Sequence, residues 1–211
     1  MKYIYYFSKF NISYYIYEIK TGDSIIFNRN YYQKTFFIIL DGLVLLSKHF
    51  TNTHSLSIAI LSNHHIIFNT QKNITINYYY KVLALKNTYL ISLNKNEIYK
   101  HKKLIINIIN SYELTLDKYS SMNDILANKL VKYRLLQLLF FLSKEFGIIK
   151  KQYINIPFTI SKYQIGIIIG SNQNTINKLL KNLSPYIKIE YINNKKIQIK
   201  DPFHLIHKYC Y

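Results

Sequence analysis

Gln173, Asn174, Asn177, Lys178 and Lys181 recur at spacings that place them on one side of a helix, with Ile176, Leu179, Leu180 and Leu183 on the other at i, i+3, i+4 and i+7. The chemistry open to that polar face is recognition. A side-chain amide carries a donor beside an acceptor and matches adenine N6 and N7, whereas an ammonium donates to guanine O6 and N7 or to a phosphate. Gln173, Asn174, Asn177 and Lys178 are therefore candidates for contacts to base edges. Ser161, Lys162, Asn172, Thr175, Lys181, Lys195 and Lys196, polar or cationic residues around them, are candidates for contacts to a nucleic-acid backbone.

The elements that must position these side chains are legible on either side. Ser161-Lys162-Tyr163-Gln164 has the form of a capping box and opens a short helix through about Ile169. Gly170 permits a tight turn, and Asn172 is a favourable N-cap for a second helix from about Gln173 to Asn182. Two short helices around a Gly turn form a helix-turn-helix, whose second helix enters the major groove of DNA. Ile187–Tyr191 and Lys196–Lys200 then alternate at period two around Asn193-Asn194, as a hairpin or wing does.

The rest of the chain divides by period. From Tyr14 to about Leu93 it consists of β-rich runs: Ile25–Phe27, Thr35–Leu40, Leu43–Ser47, Leu56–Leu61, Tyr78–Leu85 and Tyr89–Leu93. Thr21-Gly22-Asp23 is a turn signal, and Asp41-Gly42 predicts a tight hairpin. After Asn94 the spacing becomes helical: Ile105, Ile108, Tyr112, Thr115, Tyr119, Met122 and Leu126 line one seam of a long helix, expected to be a dimer seam. A buried helix spans Lys129–Phe146 and stops at Gly147. The N-terminal Tyr3–Phe7 is expected to pack on the β-rich part as a strand or flap. The fold class is α+β, with a β-roll over 1–96, a connector and dimerisation helix over 97–127, and a winged helix-turn-helix over 128–211.

Composition bounds the partners. The 211 residues carry 28 Lys and Arg against 10 Asp and Glu, a formal net charge of +18, which attracts anionic surfaces such as phosphate backbones. Arg29 and Arg134 are the two arginines, and part of the Lys excess reflects an A·T-rich coding bias. Cys210 is the single cysteine, so an internal disulfide and a thiolate-bound iron–sulfur cluster are excluded. No apolar run reaches the roughly 18 residues of a membrane span, and no membrane partner is expected. His64-His65 and His204-x-x-His207 lack the companions of a metal site, so no metal is expected. The sequence shows no H-E-x-x-H, no Gly-rich phosphate loop and no G-x-S-x-G, so no residue stands out as catalytic and the chain reads as a non-enzyme.

Thr21-Gly22-Asp23, Asp41–Ser47, the long helix, Tyr133–Gly147, Ile169–Leu180 and Lys195–Lys200 together resemble the CRP/FNR family of dimeric transcription regulators over nearly the whole chain. Within that family the chain is most similar to the global nitrogen regulators of cyanobacteria and their plastid-encoded relatives. The resemblance implies a homodimer on double-stranded DNA at a GTA…TAC pseudo-palindrome, recruitment of a bacterial-type RNA polymerase, nitrogen-related target genes, and a place in the plastid stroma or a bacterial cytoplasm.

Departures from the family pattern are specific. An Arg that usually reads guanine is replaced by Gln173, which shifts the expected half-site toward A·T. Phe68-Asn69-Thr70-Gln71 lacks the Gly-Glu pair and Arg of a cyclic-nucleotide cassette, so that ligand is not expected. The arginines that hold 2-oxoglutarate in the nitrogen regulators correspond to Tyr78 and Thr115, leaving a degenerate effector pocket of Phe68, Asn69, Thr70, Tyr78 and Thr115, with Lys72 or Lys81 as replacement cations. No cofactor is expected, with 2-oxoglutarate the one candidate. Two other functions stay open: a non-specific architectural DNA-binding protein, and a ligand-sensing or enzymatic roll whose winged helix contacts protein.

Overall fold

The computed structural model describes residues 2–27, 35–52, 54–68, 78–185, 187–192 and 196–200. The chain forms two compact units, 1–120 and 121–211. Their boundary falls inside a long helix, within the stretch 97–127 expected to be a connector and dimerisation helix.

The first unit begins with α1 (Lys2–Lys9) and continues through β1 (Tyr14–Ile19), β2 (Ser24–Phe27), β3 (Thr35–Asp41), β4 (Leu43–Phe50), β5 (Ser55–Ser62), β6 (Ile66–Phe68), β7 (Tyr78–Ala84) and β8 (Thr88–Asn94) to α2 (Lys95–Ile98) and α3 (Lys102–Ala127). The strands form two antiparallel sheets, ordered β1-β8-β3-β6 and β2-β7-β4-β5. Phe37, Ile39 and Leu90 from the first sheet and Val44, Leu46, Ala59, Leu61, Val82 and Ala84 from the second share one core. The alternate residues Phe36, Ile38, Ile91 and Leu93 face a second core with Tyr3 and Phe7 of α1, Ile98 of α2 and Leu104 of α3. A strand covered on both faces reads as a continuous apolar run, which is why Phe36–Ile39 does not alternate with polar residues.

Two expectations change here. Residues 3–7 do pack on the roll, but as α1, because Tyr3 and Phe7 at i and i+4 fall on one buried helical face. Asp41-Gly42 is not a hairpin turn. β3 and β4 lie in different sheets, so the pair is a corner at which the chain crosses between them. Gly42 has φ +114°, and a Cβ there would lie 2.3 Å from Thr88 Oγ1. The close approach lets the Leu43 N–H donate to Thr88 Oγ1 at 3.1 Å and the Gly42 N–H donate to Asn63 Oδ1 at 3.0 Å. These bonds tie three crossing points of the roll together.

The second unit holds the end of α3, then α4 (Val131–Phe146), β9 (Ile148–Lys150), β10 (Tyr153–Thr159), α5 (Lys162–Ile168), α6 (Gln173–Leu183), β11 (Lys188–Ile192) and β12 (Lys196–Lys200). α4 buries Leu135, Leu136, Leu138, Leu139, Phe141 and Leu142, as its apolar text requires. Gly147 ends it in an extended conformation rather than a left-handed one; a Cβ there would lie 2.2 Å from the Ser143 carbonyl oxygen, so close packing demands the glycine. β9 and β10 extend the wing into a four-stranded sheet, β11-β12-β10-β9.

Candidate nucleic-acid interface

The helix-turn-helix is held by bonds that the sequence foreshadows and by two that it does not. Ser161 Oγ accepts the Gln164 N–H at 3.1 Å while Gln164 Oε1 accepts the Ser161 N–H at 2.8 Å, completing the capping box of α5. Asn172 Oδ1 accepts the Thr175 N–H at 2.8 Å and caps α6. Gly166 is a residue that the sequence reading passed over. A Cβ there would sit 3.0 Å from the Ser171 carbonyl oxygen and 3.2 Å from the Asn172 carbonyl carbon, so its absence admits the turn against α5. Arg134 was passed over too. Half-buried on α4, it donates from Nε to the Asn128 carbonyl at 2.6 Å and from Nη1 to the Ile169 carbonyl at 3.2 Å, fastening the α5–α6 turn to the base of α4. A lone arginine in a Lys-rich unit was the available signal, since only a planar fork reaches two separate acceptors at once.

α6 buries Ile176 and Leu183, with Leu179 and Leu180 half-buried. Gln173, Asn174, Lys178 and Lys181 are exposed, and Asn177 is half-buried. At 100° per residue these five occupy an arc of about 140°. No side chain of Gln173, Asn174 or Asn177 has a hydrogen-bond partner among the described residues. Neither α5 nor α6 contains a carboxylate.

The other expected backbone contacts surround this arc in different states. Ser161, Thr175 and Lys162 are half-buried, Asn172 and Lys196 exposed, and Lys195 lies outside the described residues together with the wing turn at Asn193-Asn194. Lys162 Nζ lies 5.3 Å from the centroid of the Tyr191 ring on β11. That phenol hydroxyl is buried, and burial pushes its pKa well above the usual tyrosine range. On the wing, Lys200 Nζ donates to Glu190 Oε1 at 2.7 Å, which leaves Lys188 and Lys196 as its exposed cations.

On α3 most of the expected seam residues meet the roll. Ile105 and Ile108 pack into the second core of the roll, Tyr119 packs against the first, Tyr112 sets its ring edge-on to Phe68 at 5.0 Å, and Thr115 is 1% exposed. Met122 is buried and Leu126 half-buried. Much of that face packs against the chain's own roll over Ile105–Tyr119, with Tyr112 left 40% exposed. Exposed apolar positions on α3 are Tyr112 of the expected seam, Leu114, and Ile106, Ile109 and Leu116, the last three each one residue beyond an expected seam position. One residue is a rotation of about 100°, enough to exchange a roll-facing flank for a free one.

The described effector residues are engaged within the fold. Thr115 Oγ1 donates to the Ser111 carbonyl and accepts the Ile66 N–H, both at 2.8 Å, so its hydroxyl serves the fold. The Tyr78 ring lies 3.6 Å from Lys48 Nζ, and Phe68 stacks on Phe36. Lys81 alternates with Tyr80 and Val82 of the core and therefore faces the opposite side of β7, where Ser47 Oγ donates to its carbonyl; it is not available to the interior. Asn69, Thr70, Gln71 and Lys72 lie outside the described residues. Burial, with neighbouring Tyr80 and Tyr112, raises the pKa of Tyr119, so a neutral phenol lies along α3. His64 is exposed and His65 buried; no group of three or more His, Cys, Asp or Glu occurs among the described residues, and His204, His207 and Cys210 lie outside them. No described helix is long and apolar enough to cross a membrane.

No family model matches the chain. It is 28% identical over 198 residues to a protein of Porphyra purpurea named "Putative HTH-type transcriptional regulator ycf28", with 92% of this chain and 81% of that protein covered. A CRP/FNR-family transcriptional regulator from Thermus thermophilus superposes with a TM-score of 0.69 at 19% identity over 92% of this chain and 97% of its own. A CRP-family regulator from the same organism gives 0.73 at 14% identity over the same shares. A cyclic nucleotide-binding domain containing protein from Listeria monocytogenes gives 0.71 at 14%, covering 96% and 97%. Two antiparallel sheets closing a roll, a long helix and a winged helix-turn-helix, in that order, give this chain the CRP/FNR fold.

Proposed function

We propose that the chain is a sequence-specific DNA-binding transcription regulator that acts as a homodimer on a pseudo-palindromic promoter site and works by binding, without catalysis. The observation that carries the proposal is the arc of amides and ammoniums on α6, exposed on a helix-turn-helix beside a cationic wing. The name of the Porphyra purpurea relative and the fold neighbours support it. Two recognition helices reading half-sites one turn apart need about 34 Å between their centres. Ile106, Ile109 and Leu116 of α3 are the apolar surface on which a second copy would pack.

The proposal extends to nitrogen-related genes as targets, to a bacterial-type RNA polymerase as the recruited partner, and to the plastid stroma, or a bacterial cytoplasm, as the place of action. Motif resemblance and A·T-biased composition support these points. It includes no obligatory cofactor, which the engagement of the Thr115 hydroxyl within the fold supports. A Lys-rich, Arg-poor surface also suits the architectural alternative, in which backbone attraction alone acts.

Fluorescence anisotropy of the full chain on a GTA…TAC duplex and a scrambled duplex, across a salt series and with or without 2-oxoglutarate, tests these readings. Preference for the palindrome, unchanged by 2-oxoglutarate, is expected. Equal affinity for both duplexes selects the architectural protein. Tightening by 2-oxoglutarate overturns the effector-free part, and failure to bind either duplex at low salt overturns DNA binding itself.

A further inference from the structure

We infer that α6 selects adenine-containing half-sites, with Gln173, Asn174 and Asn177 as the specificity-determining residues and Lys178 and Lys181 as backbone clamps. The inference rests on the DNA-binding function proposed above and assigns the base that the site prefers.

The structure separates amides that build the fold from amides that do not. In the same unit, Gln164 closes the α5 capping box, Asn172 caps α6, Asn128 donates to Gln137 Oε1 at 2.7 Å, and Gln198 donates to Asn155 Oδ1 at 3.1 Å. Gln173, Asn174 and Asn177 have no such partner among the described residues, yet they sit on the first half of a helix capped by the Asn172 side chain. Their hydrogen-bonding capacity is directed outward by a rigid element. Adenine offers N6–H₂ as donor beside N7 as acceptor, and an amide satisfies both at once. Guanine offers two acceptors, O6 and N7, against which the amide oxygen is repelled and only its NH₂ donates.

The cations on the arc do not reverse this preference. Lys178 and Lys181 are point charges without the fork that grips guanine bidentately, and an ammonium is equally suited to phosphate. α5 and α6 have no carboxylate to accept from cytosine N4. Among the groups on this surface, the amides alone carry two-point recognition of a single base.

Selection of bound sequences from a randomised duplex pool by the full chain, followed by anisotropy on the enriched duplex and its single-base variants, tests the assignment. Wild type should enrich adenine, and replacing a contacted adenine by guanine should weaken binding about tenfold. Gln173→Ala and Asn177→Ala should each flatten the preference at one position while retaining the salt slope and the circular-dichroism melt. Gln173→Arg should convert one enriched adenine to guanine. Enrichment of guanine at the positions those variants alter, or bound duplex with no enriched base, overturns the inference and leaves DNA binding standing. If no duplex is retained at low salt by a chain with a normal melt, both fall together.

Discussion

The Thr115 hydroxyl on α3 accepts the backbone N–H of Ile66 on β6 at 2.8 Å, across 49 residues of chain, while it donates to the Ser111 carbonyl one helical turn back. Thr115 is 1% exposed and Ile66 fully buried, so no water replaces a lost partner. The bond joins α3 to β6 on the flank of the helix that faces the roll. Thr115→Val keeps the shape and strands the Ile66 N–H, which should cost about 1–3 kcal/mol. Thr115→Ser keeps the acceptor and should cost less than Thr115→Val. Urea unfolding followed by circular dichroism checks the order; a larger loss from Thr115→Ser than from Thr115→Val would show that the methyl group, not the hydroxyl, holds the contact.

Arg134 makes a comparable prediction for the second unit. Its two donors reach the carbonyls of Asn128 and Ile169 from one guanidinium plane. A lysine supplies the charge but cannot span both acceptors. Arg134→Lys should therefore lose most of what Arg134→Ala loses, about 2 kcal/mol of stability, as hydrogen bonds from charged donors commonly contribute. DNA affinity should fall with it, because the Ile169 carbonyl leads directly into the Gly170 turn that aims α6. Thermal melts and anisotropy on one duplex, measured together, test the link; a Lys variant that matches wild type in both removes it.

The exposed flank of α3 predicts oligomeric state. Ile109 is 49% exposed in a single copy, so a polar residue there costs the isolated chain little. In a helix-to-helix contact the same change buries an unpaired carboxylate, which is expensive. Ile109→Glu should convert a dimer to a monomer in sedimentation velocity, whereas Ile109→Val should leave it dimeric. A Glu variant that sediments as wild type rules out this flank as the dimer contact.

These residues also show what the sequence makes legible. Capping signals act within four residues, so Ser161, Gln164 and Asn172 announce α5 and α6 with their functional face, and periodicity alone locates the buried leucines of α4. Sheet membership is not local. Asp41-Gly42 has hairpin chemistry, yet β3 pairs with β6 and β8 while β4 pairs with β5 and β7, and the close approach of Thr88 to Gly42 is visible only once folded. Which flank of α3 packs inward is hard to read for a related reason: Ile105 and Ile106, or Ile108 and Ile109, are equally apolar neighbours. Which of each pair meets the roll is decided by residues distant in sequence, Ile105 and Ile108 packing into the second core. Gly166 and Arg134 were missed because each acts through a contact that only the folded unit brings about.

His49 on β4 yields a prediction about acid. Its Nε2 lies 2.9 Å from Ser47 Oγ, its ring stacks on Tyr79 at 5.2 Å with the planes 8° apart, and Lys81 on the neighbouring strand adds positive charge. Desolvation first, and Lys81 second, hold its pKa below the ordinary value of 6.5. The unfolded chain therefore takes up a proton before the folded chain does. The folded state is favoured above pH 6.5, and this contribution is lost as pH falls from 6.5 through the lowered folded value, where the unfolded state binds more protons. The ring is only partly buried, so the effect is a modest slope rather than a collapse. The melting temperature of wild type minus that of His49→Gln, recorded from pH 8 down to 5, should decline below about 6.5. Since the other histidines are common to both proteins, a difference that stays constant across that range would show that neither burial nor Lys81 acts on this imidazole.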